Sequence, residues 1–140
     1  MALVITGSLW YVEAPPRSSP SYSQRTAQTA ETLRSQAETA RLWVAELADG
    51  RTFGASASVG FREAEEDATA ALSGFAAYDP PPGTVALRDA VTALGNDVVN
   101  SLAQLRIAAA DERWGDLGQP AARLARLGSR LDRLARRAES

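Results

Sequence analysis

The amino-acid sequence predicts an all-α fold: an antiparallel up-down-up-down four-helix bundle behind a short apolar N-terminal segment. Three observations predict it. About one residue in five of the 140 is Ala, the strongest helix former, while the Val, Ile and aromatic residues that favour sheets are sparse. In four separate stretches, apolar residues recur at alternating spacings of three and four, which gathers side chains on one helical stripe. Three short connections of Gly, Pro and small polar residues join the stretches, and short connections make consecutive helices antiparallel neighbours. Hydrophobic content of 45 % and charged content of 23 % are ordinary for one folded domain of this length.

The chain opens on an apolar run without charge from Ala2 to Val12, then changes to Glu13-Ala14-Pro15-Pro16-Arg17-Ser18-Ser19-Pro20. A membrane-spanning helix needs about 20 apolar residues, roughly twice this run. No positive flank precedes the run, so it is not a complete signal peptide. Trp10 and Tyr11 stand where an aromatic belt stands, at headgroup level. The expectation is that residues 1–12 are the outer end of a longer anchor that starts ahead of Met1, with 13–22 a Pro/Ser linker and 23–140 the bundle. Few Arg follow the run closely, so the positive-inside rule places the bundle on the extracytoplasmic face. The alternative is a soluble intracellular adaptor whose N-terminal arm packs on the bundle or on a partner chain.

Residues 23–48 form the first predicted helix, with Ala30, Leu33, Ala37, Ala40, Val44 and Leu47 on its stripe and Gly50 as its stop. Residues 51–58 are small and polar and predict a loop containing Phe53. The second helix is expected over 59–78, capped by Ser58, with Phe61, Ala64, Ala68, Ala71, Phe75 and Tyr78 inward. Glu63, Glu65, Glu66 and Asp67 lie in its first half, where the helix dipole favours negative charge. Pro80-Pro81-Pro82-Gly83 ends it. The third helix, 84–111, carries Leu87, Val91, Leu94, Val98, Leu105 and Ala108; Ser101 interrupts that stripe, and Leu102 lies beside it. Gly95-Asn96 falls mid-helix, which costs about 1 kcal/mol against Ala and invites a slight bend. The fourth, 119–138, has Pro120 in its first turn and a heptad stripe of Leu124, Leu127, Leu131 and Leu134.

In Leu9-Trp10-Tyr11-Val12 with Pro15-Pro16, Ala48-Asp49-Gly50-Arg51, Glu63-Ala64-Glu65-Glu66-Asp67 and Leu105-Arg106-Ile107-Ala108-Ala109, the chain resembles uncharacterised membrane-anchored proteins of high-GC Gram-positive bacteria. These have a terminal anchor, a Pro-rich step and a helical bundle. The resemblance implies a compartment and a fold, and no activity.

The missing residue types bound the chemistry. The chain has no Cys, no His and no Lys, and all 15 basic residues are Arg. Ordinary zinc, copper and haem sites need Cys or His. The Ser-His-Asp triad needs His, and Schiff bases and phosphate loops need Lys. Carboxylate, Arg, Tyr and hydroxyl chemistry remain. No enzymatic activity, cofactor or metal is expected.

Three constellations remain as candidate sites. The carboxylates of Glu63, Glu66 and Asp67 fall on neighbouring turns, where a hard cation such as Ca²⁺ is conceivable and a solvated helix face is the simpler expectation. Arg123, Arg126, Arg130, Arg133, Arg136 and Arg137 make residues 117–140 strongly basic within a chain of net charge −2. Arg123, Arg130 and Arg137 flank the core, and Arg126 and Arg133 lie further out. Their stems can cover the core edge while their heads reach carboxylates on a neighbouring helix. The alternative is an anion or partner surface of Arg123, Arg126, Arg130, Arg133 and Arg137. Nucleic acid is not expected, because the chain is acidic overall and no aromatics interleave with the Arg residues. Finally, Phe53 and Trp114 lie in the first and last connections, which share one end of an antiparallel bundle; they either cap that end or expose an apolar contact there. Trp43, Phe61, Phe75 and Tyr78 are expected in the core. The function expected from this inventory is a non-catalytic interaction or scaffold domain, acting through a protein partner or self-association.

Overall fold

The structure, a computed structural model, describes residues 21–139. It consists of four helices, α1 (Tyr22–Ala48), α2 (Gly54–Ala76), α3 (Val85–Ala110) and α4 (Gly118–Glu139), with a 3-10 turn at Trp114–Asp116 before the last. The helices pack antiparallel, and there is no strand among the described residues. α1 packs on α2 and α4, α3 packs on the same two, and α1 and α3 meet across the diagonal. α2 and α4 occupy opposite corners, and their backbones do not approach closely among the described residues.

Local chemistry sets the helix ends. Ser21 and Gln24 form a reciprocal capping box: the Gln24 amide donates to Ser21 Oγ at 3.2 Å and the Ser21 amide donates to Gln24 Oε1 at 3.0 Å. At the far end of α1, the Gly50 amide donates to the Leu47 carbonyl at 3.1 Å and the Arg51 amide to Glu46 at 2.9 Å. This is a Schellman closure, which needs a left-handed residue; Gly50 supplies it at φ 69°. α3 ends the same way, with Glu112 donating to Ala109 at 3.2 Å and Arg113 to Ala108 at 2.8 Å. There the left-handed residue is Glu112, at φ 55°. A side chain at that φ strains the backbone by about 1 kcal/mol.

The start of α2 departs from the sequence expectation. It begins at Gly54, directly after an extended Phe53, and Ser58 lies inside the helix rather than capping it. Ser58 Oγ donates instead to the Arg106 carbonyl of α3 at 3.3 Å. The cause is tertiary. A Cβ on Gly54 would sit 2.6 Å from the Ala109 carbonyl oxygen and 2.9 Å from the Trp114 ring. The small residues before Val59 therefore let the first turns of α2 lie against α3; they are not loop residues. Tyr78 also departs. It lies past the end of α2, 43 % exposed, with the Arg25 guanidinium 3.7 Å from its ring centroid.

The core is one cluster. Leu124, Leu127, Leu131 and Leu134 of α4 are buried, facing Ala27, Ala30, Leu33, Ala37 and Ala40 of α1. Small residues on α1 and Leu on α4 let these two helices pack extensively. Phe61 and Phe75 anchor α2, and Val91, Val98, Leu102 and Leu105 anchor α3. Trp43, Val44 and Leu47 are half-buried against this cluster. Gly95 is a packing residue. It is buried because Leu72 of α2 sits where its Cβ would be. Gly60 likewise accommodates the Trp43 indole of α1.

Candidate functional site

Among the described residues, the only polar residues buried as a whole are Thr26 and Ser101, and the hydroxyl oxygen of half-buried Tyr22 is also buried, without a hydrogen-bond partner. Thr26 Oγ1 donates to the Tyr22 carbonyl at 2.8 Å. Ser101 Oγ has no partner. Tyr22 packs against Phe75 with ring centroids 5.4 Å apart, and burial pushes its phenol above the ordinary range, with Arg88 opposing and Asp89 reinforcing the shift. What can engage a ligand or partner lies on the surface of the bundle.

Glu63, Glu66 and Asp67 stand exposed along α2. Glu63 and Asp67 border an open cleft of about 540 Å³ beside Trp43 and Gly60. No group of three or more acidic side chains among the described residues comes together in a way that could hold a metal ion.

Phe53 and Trp114 are brought together at the end of the bundle remote from Ser21. Both border a shallow cleft of about 720 Å³ with Leu47, Gly54, Ala109 and Glu112. The Schellman turn at Glu112 and the close approach of Gly54 set its walls. Phe53 is 81 % exposed and Trp114 49 %. Such exposure shows that they do not cap the bundle end by burial; they leave apolar surface at it. Leu42, Val59 and Ile107, three of the other exposed large apolar residues, lie in the same half, while Tyr78 and Val85 lie in the other. These three project from separate helices, so the paired surface is Phe53 with Trp114.

The Arg set divides into two flanks of α4. Arg136 pairs with Asp132 at 3.0 Å on the flank facing α1, in a groove shared with Arg34, Glu38 and Arg41. Arg123, Arg126, Arg130, Arg133 and Arg137 run along the other flank, all exposed. The expected ion pairs from this row to a neighbouring helix do not form for Arg123, Arg126, Arg130 and Arg133, which make no ion pair among the described residues. The row lies on the flank turned away from α1, whose carboxylates Glu31 and Glu38 pair within their own helix with Arg34 at 2.9 Å and Arg41 at 3.0 Å. The inter-helix ion pair that does form joins Arg106 of α3 to Glu65 of α2 at 2.8 Å. The bundle thus carries acidic α2 and basic α4 at opposite corners.

Trp10 and Tyr11 lie outside the described residues. Among the described residues no helix is long and apolar enough to cross a membrane. No protein-family model, curated protein or solved structure matches the chain.

Proposed function

We propose that the chain is a non-catalytic helical interaction domain, tethered to a membrane through its N-terminal segment and displayed on the extracytoplasmic side, in keeping with its resemblance to anchored bundle proteins. The observation that carries the interaction role is the exposed Phe53–Trp114 pair at the end of the bundle remote from Ser21. Exposed aromatics beside a shallow cleft suit a protein contact, where aromatic anchors supply most of the binding energy. The tether is supported by the apolar run of residues 2–12, its Trp10-Tyr11 boundary and the Pro/Ser step after it. The sequence has no His, Cys or Lys, and no described carboxylate or Arg is buried, so the residues present favour binding over catalysis.

A single cellular experiment tests both halves. A photo-activatable cross-linking residue is placed at position 53, 114 or, as a control, 67; cells are then fractionated and treated with external protease. The expected result is membrane association, cleavage by protease in intact cells, and cross-links from positions 53 and 114 but not 67. A soluble protein inside protease-resistant cells would refute the tether in favour of an intracellular adaptor. Equal cross-linking from all three positions would refute the tip as the contact.

A further inference from the structure

We infer that the outer flank of α4 is a lipid-headgroup contact: Arg123, Arg126, Arg130, Arg133 and Arg137 lay the bundle lengthwise on the anionic leaflet that holds its own N-terminal segment. This inference rests on the tether reading above. The five residues are spaced by three, four, three and four, so they form one ridge. At 1.5 Å of rise per residue the ridge is about 21 Å long. All five are exposed, and Arg123, Arg126, Arg130 and Arg133 have no carboxylate partner among the described residues. Like charges at this spacing repel and weaken a helix. The neighbouring flank shows the alternative the sequence uses elsewhere, where Arg136 is neutralised by Asp132.

Two further features favour a headgroup plane over an acidic protein. None of the exposed large apolar residues lies on α4, so the ridge lacks the apolar anchor that protein interfaces place at their centre. The ridge also starts beside the tether. α4 is antiparallel to α1 and packs on it, which puts Arg137 at the Ser21 end. The stretch between Val12 and Ser21 can extend about 30 Å at most, so the ridge is held within reach of the leaflet. Lying flat points the Phe53–Trp114 tip along the membrane surface, toward a partner at the same height.

Each basic side chain at an anionic surface raises partitioning about fivefold. The test is sedimentation of the full chain with phosphatidylcholine vesicles and with phosphatidylcholine–phosphatidylglycerol vesicles. The variant is R126Q/R130Q/R133Q, whose charge-matched control is R41Q/R51Q/R62Q on other faces; circular dichroism checks that both remain folded. The expected wild-type result is binding to neutral vesicles through the N-terminal segment and stronger binding to anionic ones. The ridge variant should lose more than tenfold of the anionic preference while keeping neutral binding, and the control should lose less than about threefold. Raised salt should erase the same increment. Equal losses in variant and control would overturn the ridge, leaving only net charge. Absence of any anionic preference in the wild type would overturn it too and assign the ridge to an acidic protein. Failure of neutral binding with the anionic preference intact would overturn the tether and leave the ridge standing.

Discussion

Replacing Ser101 by Ala should make the protein more stable. Ser101 lies on α3, fully buried, between Val98 and Leu105 on the core stripe, and its Oγ has no hydrogen-bond partner. A buried hydroxyl without a partner has lost its water and gained nothing in return, a cost of about 1–3 kcal/mol. Ala keeps the Cβ, removes the oxygen and adds up to about 0.5 kcal/mol of helix propensity. The void left is one oxygen in size, which offsets a few tenths of a kcal/mol at most by the usual cavity scaling. The net expectation is a gain of about 1–3 kcal/mol. For a chain of this size that is a rise of roughly 4–10 °C in the midpoint of thermal unfolding. The assay is thermal and urea unfolding followed by far-ultraviolet circular dichroism, with an unchanged urea slope confirming that stability alone has moved. Thr26 provides the contrast. Its hydroxyl is bonded to the Tyr22 carbonyl at 2.8 Å, so Thr26→Ala should cost about 1 kcal/mol. A loss of stability in Ser101→Ala would mean that the hydroxyl has a partner, and that the α3 core is arranged differently from the one described.

Leu131→Ala should cost about 2–5 kcal/mol by urea unfolding, because Leu131 is fully buried, whereas Arg126→Ala should cost less than about 1 kcal/mol because Arg126 is exposed and unpaired. Gly60→Ala should cost about 1–3 kcal/mol of stability despite the better helix propensity of Ala, since the new methyl meets the rigid Trp43 indole; an unchanged midpoint in thermal unfolding would mean that the indole can move aside. Glu112→Gly should raise stability by up to about 1 kcal/mol, because Gly adopts the left-handed Schellman position without strain; a loss in the same melt would mean that the Glu112 side chain holds the turn.

Much of the fold is legible in the sequence because its signals are periodic. Leu124, Leu127, Leu131 and Leu134 state the buried face of α4, and Ala30, Leu33, Ala37 and Ala40 that of α1, before any packing is known. The meeting of Phe53 and Trp114 also follows from topology, since antiparallel helices bring the first and last connections to one end. What is not legible depends on contacts distant in sequence. The stretch Gly54–Ser58 has loop composition, yet it is helical because a carbonyl of α3 crowds Gly54. Gly95 reads locally as a weak point in a helix and is the seat of Leu72. Glu112 has no left-handed preference to announce the turn it makes. The Arg residues of α4 can be counted but not paired from sequence, because which flank of α4 faces α1 and its carboxylates is set by the packing of the helices. The capping box of Ser21 and Gln24 starts α1 at Tyr22, one residue before the predicted start at 23.

The membrane tether is the claim on which the function rests, and one melting comparison tests it most directly. Residues 1–16 are removed, and the thermal midpoint and solubility are compared with those of the full chain. If residues 2–12 are the end of an anchor, they add nothing to the bundle, so the midpoint should stay within a few degrees while solubility improves. If they are an arm docked on the helices, deletion exposes several apolar side chains' worth of surface at about 25 cal/mol per Å², a loss of several kcal/mol. A fall of more than about ten degrees would contradict the tether and make the protein a soluble adaptor.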